Sequence, residues 1–203
     1  MLLPVSSLGV AIVTGAARGI GRGIALRLAK DGYDIGLNDL PTAAEPLDDV
    51  RKEIIALGRR PFIAFGDVSV PVDVEKTVST VVENLGPLNV LTDALTHITH
   101  VDEVSDFQKQ FSINTIGAFL SYKYAALQMI KQGKGGRIIG ACSIAGKQGN
   151  VPYADKIRIQ IIDLIYCQER PAQQDTARPN LLCGVLPRSQ VSSRGETSVE
   201  ARL

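Results

Sequence analysis

Two hydrophobic patterns alternate along the first 150 residues of the chain. Short apolar runs rich in β-branched residues predict buried parallel strands over residues 9–13, 35–37, 62–65, 88–91 and 137–141. Between these runs, apolar residues recur at helical spacing and predict three amphipathic helices, with faces formed by Ile20, Ile24 and Leu28, by Leu47, Val50, Ile54 and Leu57, and by Val74, Val78, Val81, Val82 and Leu85. A longer helix is predicted over residues 107–130. The three shorter helices are each followed by a glycine that predicts their ends, Gly32, Gly58 and Gly86.

The regular alternation of strand and helix determines the predicted fold class. Short connections between successive elements indicate stacked right-handed βαβ units, which place the strands in one parallel sheet. We therefore expect an α/β protein with a doubly wound, Rossmann-like parallel sheet whose two faces are covered by helices. This core is expected to occupy residues 1–150.

The pattern changes after residue 150. Seventeen of the 19 glycines and eight of the nine lysines precede this point. A helix would have one face formed by Ile157, Ile161, Ile162 and Ile165. A strand would instead alternate Ile157, Ile159 and Ile161 on one side, and both alternatives stay open.

A sixth strand is a further candidate over residues 181–186, and the polar residues 188–203 are expected to fray. Residues 151–203 are accordingly treated as an atypical C-terminal segment, partly disordered, that leaves the fold incomplete or atypical at this end.

Charge and cysteine usage narrow the class of function. The 203 residues carry 22 Lys and Arg against 21 Asp and Glu, a net charge of +1, which argues against a nucleic-acid partner. No apolar run approaches the roughly 18 residues of a membrane helix, and residues 1–8 lack the pattern of a signal peptide. Three widely spaced cysteines form neither a disulfide framework nor a zinc site, so a cytoplasmic setting is expected.

No metal site is expected. His97 and His100 are three residues apart, which would suit two ligands on a helix, but no third ligand clusters near them in the sequence. A loop is the favoured interpretation of this segment.

The strongest motif follows the first predicted strand and opens the first predicted helix: Thr14-Gly15-Ala16-Ala17-Arg18-Gly19-Ile20-Gly21. Gly15 permits a tight exit from the strand, and glycine at 19 and 21 lets the backbone approach a pyrophosphate and the helix pack closely on the sheet. The free N–H groups and positive end of the new helix attract that anion. The motif therefore predicts a dinucleotide-binding turn, with Ile20 in its helical part.

Two residues bear on the choice of cofactor. Asp39 ends the second predicted strand, 24 residues after Gly15. A carboxylate at this position would accept hydrogen bonds from the adenosine ribose and repel a 2′-phosphate, which favours NAD. Arg18, a cation in the turn, would suit a 2′-phosphate, so NADP stays open as the alternative. A solvated strand end is the other interpretation of Asp39.

The spacing Gly-x3-Gly-x-Gly resembles that of the short-chain dehydrogenase/reductase family, and the resemblance runs from about Val10 to Asn150. Asp67 and Val68, after the third predicted strand, resemble the family's adenine-contacting pair. Asn114 resembles its helix asparagine, which orders a water for proton relay. Residues 137–146 resemble the fifth strand and the catalytic serine, here Ser143. Residues 122–126 and 149–150 are most similar to diacetyl/acetoin (2,3-butanediol) reductases.

The resemblance implies hydride transfer between a nicotinamide cofactor and a small ketone or secondary alcohol. In this chemistry a tyrosine exchanges the proton of the substrate oxygen, and Tyr153 with Lys156 is the candidate pair. The ordinary pKa of tyrosine is about 10, and a nearby lysine and the cationic ring favour the phenolate. Ser143 would hold the substrate oxygen where charge develops. The resemblance further implies a homo-oligomer that pairs through its long helices.

The chain departs from the family pattern in three places. The family's Asn-Asn-Ala-Gly after the fourth strand, which supports the central sheet beside the cofactor, is replaced by residues 91–97, Leu-Thr-Asp-Ala-Leu-Thr-His. Lys156 follows Tyr153 by three residues instead of four, and offsets of three and four both lie on neighbouring helix faces. No Pro-Gly pair follows a sixth strand.

These departures leave two alternatives to an active enzyme. One is a catalytically inactive nucleotide-binding remnant of a truncated or frameshifted gene product, with the reading frame changed near Asn150 and also near Thr92. The other is a chain that folds poorly and has no activity. Sequencing of the transcript tests the first alternative, because an intact message in this frame through Leu203 would remove it.

Overall fold

A computed structural model describes residues 7–94, 103–141 and 180–184 of the chain. Within these residues six strands form one parallel sheet in the order β3-β2-β1-β4-β5-β6. The strands are β1 (Val10–Thr14), β2 (Asp34–Asp39), β3 (Pro61–Phe65), β4 (Leu88–Asp93), β5 (Arg137–Ala141) and β6 (Asn180–Gly184). The predicted doubly wound parallel sheet is confirmed, and the segment predicted over 181–186 contributes its sixth strand.

Helices connect successive strands in the described residues. They are α1 (Gly19–Lys30), α2 (Ala44–Ala56), α3 (Pro71–Leu85), α4 (Val104–Phe111) and α5 (Ala118–Gln132). Glycines with positive φ follow the first three helices as expected: Gly32 at 108°, Gly58 at 74° and Gly86 at 110°. The left-handed region costs glycine little, so these residues end the helices without strain.

The long helix predicted over residues 107–130 contains an irregularity that periodicity does not indicate. Between α4 and α5 the chain forms a π-helical turn, Ser112–Gly117. A Cβ atom at Gly117 would lie 2.8 Å from Cγ2 of Val68, so the turn packs directly against the loop after β3. Such π turns recur at functional sites in helical segments.

The core lies on both faces of the sheet. All five residues of β1 are buried, and side chains alternate between the two layers as strand geometry requires. Ala11 and Val13 pack towards α1 and α2, whereas Val10 and Ile12 pack towards α3 and α5. This double burial explains the continuous apolar run in the sequence of β1.

The strand order places a crevice at the carboxyl edge of the sheet. The chain moves outward from β1 through β2 to β3, and then returns to the other side of β1 to form β4. In open α/β sheets, ligands bind at the carboxyl ends of the strands where the order reverses in this way. The turns after β1, β2 and β3 meet at this edge, and β4 ends there at Asp93.

Candidate functional site

The turn between β1 and α1 has the backbone geometry that its glycines predict. Gly15 has a φ of 62° and Gly19 a φ of 54°, both in the left-handed region. A Cβ atom at Gly21 would overlap the carbonyl oxygen of Gly15. The first turn of α1 therefore lies against the end of β1, as the predicted close packing of helix on strand requires.

The amino end of α1 remains open to an anion. Arg18 precedes the helix in extended conformation and its side chain makes no capping hydrogen bond, and the first turn contains no acidic residue. Arg18 and Gly19 are exposed, and Ile20 is 59% exposed. The space where a Cβ of Gly19 would lie is empty to 4 Å. A pyrophosphate fits this end because it meets N–H groups without intrahelical partners and no side chain blocks it.

Asp39 forms part of the turn rather than a solvated strand end. Its Oδ2 accepts a 3.0 Å hydrogen bond from the backbone N–H of Ala17, and its Oδ1 accepts a 2.9 Å bond from the N–H of Leu40. The carboxylate is half-buried. Because a carboxylate has about four acceptor positions, Asp39 can still accept hydrogen bonds from ribose hydroxyls. It also holds in place the turn of residues 14–21, which we call the phosphate turn.

The hydroxyl of Thr14 connects the first strand to the fourth. It donates a 2.6 Å hydrogen bond to Oδ1 of Asp93 and lies 3.4 Å from the backbone N–H of Ala94, which donates to it. Thr14 is 3% and Asp93 6% exposed. The sequence departs from the family pattern at Asp93, yet here Asp93 and Ala94 tie β4 to β1 beside the turn. The sequence gives no signal for this pair beyond position, since Thr14 lies one residue and Asp93 two residues after the end of a predicted strand.

Asp67 and Val68 lie in the loop between β3 and α3. Oδ1 of Asp67 accepts hydrogen bonds from the N–H and the hydroxyl of Ser69, at 2.9 and 2.7 Å. The N–H of Asp67 donates a 3.0 Å bond to Asp73 of α3. Val68 is 6% exposed and packs with Leu120 of α5. The pair is therefore held at the carboxyl edge, on the same side of β1 as Asp39.

Asn114 lies in the π-helical turn and is 8% exposed. The same turn contacts Val68 through Gly117. The structure thus packs the turn that contains the predicted helix asparagine against one of the two predicted adenine contacts. Ser143, Tyr153 and Lys156 lie outside the described residues. The described chain ends β5 at Ala141, two residues before Ser143.

Neither a metal cluster nor a membrane-spanning helix is present among the residues that the structure describes. No three His, Cys, Asp or Glu side chains there are grouped so as to hold a metal ion, and His97 and His100 lie outside this part of the chain. No described helix has the length and apolar character needed to cross a membrane.

Comparison with protein families gives an independent result. The model of the family described as short chain dehydrogenase matches residues 9–154. The chain belongs to the short-chain dehydrogenase/reductase family. The match contains the phosphate turn, Asp39, the Asp67-Val68 pair and Asn114, and it continues through Ser143 to Tyr153.

Named relatives match a similar length of the chain. A short-chain dehydrogenase/reductase of Armillaria gallica is 49% identical over 144 residues, which are 69% of this chain and 55% of the relative. A diacetyl reductase, (S)-acetoin forming, of Staphylococcus epidermidis is 41% identical over 143 residues, which are 68% of this chain and 54% of the relative. The chain thus spans little more than half the length of these short-chain dehydrogenase/reductase relatives.

Solved structures of the family have the same fold. Acetoin dehydrogenase of Enterobacter cloacae superposes with a TM-score of 0.69 at 30% identity, covering 79% of this chain and 66% of that protein. A xylitol dehydrogenase with NAD+ bound gives a TM-score of 0.72 at 29% identity, covering 79% of this chain and 64% of that protein. The resemblance inferred from the sequence is therefore confirmed at the level of the family and fold.

Proposed function

We propose that this short-chain dehydrogenase/reductase binds NAD at the turn between β1 and α1 and transfers hydride between the cofactor and a small ketone or secondary alcohol. The observation that carries the proposal is the turn itself, in which Gly21 lies against the Gly15 carbonyl and Asp39 holds the N–H of Ala17. The pyrophosphate would bind at the open end of α1. The nicotinamide ring supplies the hydride chemistry when it is bound.

Asp39 supports NAD over NADP. Its half-buried carboxylate accepts two backbone hydrogen bonds, which fix its position beside the turn. A fixed negative charge there accepts bonds from ribose hydroxyls and repels a 2′-phosphate. Arg18 is exposed on the same turn and favours NADP. We place the carboxylate first because it is held by the fold, whereas Arg18 makes no capping bond.

The catalytic assignment follows the family resemblance. Tyr153 would exchange a proton with the substrate oxygen, and Lys156 would lower the pKa of that phenol through its positive charge. Ser143 would donate a hydrogen bond to the substrate oxygen. Asn114, buried in the π-helical turn, would order the water that relays the proton.

The substrate class is inferred from the relatives. Two of them are named diacetyl reductase and acetoin dehydrogenase, and residues 122–126 and 149–150 resemble this type of enzyme. Diacetyl and acetoin are therefore the first substrates to try. Subunit pairing through α4 and α5 is part of the proposal, supported by apolar side chains exposed on these helices and the turn between them, Val104, Phe107, Ile116, Phe119, Leu127 and Ile130.

Steady-state assays with purified protein test the activity. We expect oxidation of NADH with diacetyl or acetoin, and loss of this activity in Tyr153→Phe with NADH binding retained. Turnover that persists in Tyr153→Phe would refute the assignment of the proton donor. NADH binding without turnover of any of a broad set of carbonyl compounds would support the alternative of an inactive nucleotide-binding remnant.

A further inference from the structure

Two buried polar atoms beside the same cavity, in the described part of the chain, have no hydrogen-bond partner. They are Oδ1 of Asn38, in β2, and Oγ of Ser121, in α5. Asn38 is 2% exposed and Ser121 is 0% exposed. Buried polar groups in folded proteins are nearly always paired with protein atoms or with ordered water, so both atoms require a partner.

Both residues line the same narrow cavity. It lies between the sheet, the loop after β3, and helices α3 and α5, and the space open to a water centre is about 10 Å³. This volume matches about one water molecule. The wall includes five apolar side chains, and three other polar side chains join Asn38 and Ser121 at it: Thr14, Asp67 and Thr77.

The orientation of the Asn38 amide is fixed by its other contacts. Nδ2 donates to the carbonyl oxygens of Ala64 and Gly66, at 3.0 and 3.3 Å. The amide nitrogen therefore points towards the two carbonyl oxygens, and Oδ1 remains as an acceptor that has no donor. The hydroxyl of Ser121 rotates freely and serves as donor or acceptor.

We propose that this cavity is a binding site for one structural water molecule, which donates a hydrogen bond to Oδ1 of Asn38 and is also hydrogen-bonded to Oγ of Ser121. The hydroxyl of Thr77, which accepts a 3.4 Å hydrogen bond from Nδ2 of Asn38, lines the same cavity and is the candidate for a third bond to the water. Buried waters typically make about three hydrogen bonds. The water joins β2 to α5 and is independent of whether the chain binds a cofactor.

The site has a structural consequence for the loop after β3. Asn38 already holds the carbonyl oxygens at the end of β3 and at Gly66, directly before Asp67. A water that satisfies the remaining atom of the amide fixes Asn38 from its other side. The water thereby links the start of this loop to the first turn of α5. Asn38 Oδ1 and Ser121 Oγ make no direct hydrogen bond to each other in the structure.

A crystal structure of the full chain, at a resolution that displays ordered waters, tests the site directly. We expect one density peak within hydrogen-bond distance of both Asn38 Oδ1 and Ser121 Oγ. An empty cavity, or a Ser121 hydroxyl turned to the carbonyl of Gly117 as helical serines commonly do, would overturn the proposal.

A pair of matched substitutions gives a second test in solution. Ser121→Ala removes a buried hydroxyl from α5, and Ser79→Ala removes an exposed hydroxyl from α3 that bonds only locally to the carbonyl of Lys76. Alanine has the higher helix propensity, so Ser79→Ala should raise the urea midpoint. With the water present, Ser121→Ala should lower the midpoint, because the water and Asn38 lose a partner.

The direction in which Ser121→Ala shifts the urea midpoint distinguishes a hydroxyl bonded to water from an unpaired one. If the hydroxyl is merely unpaired, its removal relieves a buried polar group and raises the midpoint at least as much as Ser79→Ala does. That result would contradict the proposal even if no crystals were obtained. A lowered midpoint in Ser121→Ala together with a raised midpoint in Ser79→Ala would support it.

Discussion

The hydroxyl of Thr14 donates a 2.6 Å hydrogen bond to the carboxylate of Asp93 at the carboxyl edge of the sheet. The two residues end neighbouring strands, β1 and β4, and lie opposite each other in the register. Thr14 directly precedes Gly15, the first glycine of the phosphate turn. The bond therefore fixes the exit of β1 at the point where the strand order reverses, and with it the start of the candidate cofactor site.

Substitution of Thr14 by valine should reveal the contribution of this bond. Valine keeps the β-branched shape and removes only the hydroxyl, so the loss reports the hydrogen bonds to Asp93 and Ala94. We expect the free energy of unfolding to fall by about 1–3 kcal/mol, measured by urea denaturation. Thr80→Val, at a half-buried helical hydroxyl that bonds to Lys76, is the control and should change stability by less than about 0.5 kcal/mol. Equal effects of the two substitutions would refute a special role of Thr14.

Two glycines of α1 provide a matched test of the close contact between helix and strand. Gly21→Ala places a Cβ against the carbonyl of Gly15, whereas a Cβ at Gly23 meets nothing within 4 Å. We expect Gly21→Ala to lose about 2 kcal/mol through overpacking. Gly23→Ala should gain about 1 kcal/mol because alanine has the higher helix propensity. Thermal or urea unfolding of both variants measures these changes in the free energy of unfolding. An unchanged stability of Gly21→Ala would contradict the turn geometry.

Asp34 lies at the amino edge of the sheet, opposite the candidate site, and makes the free energy of unfolding depend on pH. It is 1% exposed and accepts hydrogen bonds from the guanidinium groups of Arg59 and Arg60, at 2.7 and 2.8 Å. Burial alone raises the pKa of Asp34, but the hydrogen bonds from Arg60 and the charges of both arginines outweigh it and lower the pKa below 3.8.

Because the folded pKa is below the unfolded value, Asp34 stabilises the fold above the unfolded pKa of about 3.9, and this contribution is lost as pH falls through the folded pKa. Asp34→Asn should cost about 3 kcal/mol near neutral pH and should flatten the decline of stability in acid. Urea denaturation across pH measures both effects. If the free energy of unfolding of the variant declines in acid as steeply as that of the parent chain, other carboxylates are responsible for the decline.

Gly140 of β5 is expected to tolerate no side chain while Tyr122 is present. A Cβ there would overlap the phenol oxygen of Tyr122 and lie 3.1 Å from its Cζ. Gly140→Ala should cost about 2 kcal/mol, and the cost should be smaller by about 1 kcal/mol in a Tyr122→Phe background. A double-mutant cycle measured by urea denaturation gives this difference, and strictly additive effects would exclude the contact.

Local patterns in the sequence were sufficient to predict most of the fold. Apolar β-branched runs predicted the strands, and Gly32, Gly58 and Gly86 marked the ends of three helices because a left-handed residue is required there. The phosphate turn was predicted for the same reason, since its conformation depends on glycine within eight consecutive residues.

Contacts between residues distant in sequence were not predictable in this way. Thr14 and Asp93 are 79 positions apart, and the Ala17 N–H is 22 positions from Asp39. The π-helical turn has the same apolar periodicity as a regular helix, and its contact with Val68 through Gly117 depends on tertiary packing. Sequence patterns report which residues face a core, and they do not report which polar atoms meet.

Titration calorimetry with NADH and NADPH tests the proposed cofactor site most directly, because it needs neither substrate nor catalysis. The account predicts saturable binding of NADH with one site per chain, about tenfold tighter than NADPH, and a reduced preference in Asp39→Ser. Asp49→Ser, which removes an exposed carboxylate of α2, should leave the preference unchanged. Absence of saturable binding of either nucleotide by a chain that unfolds cooperatively, or tighter binding of NADPH, would contradict it.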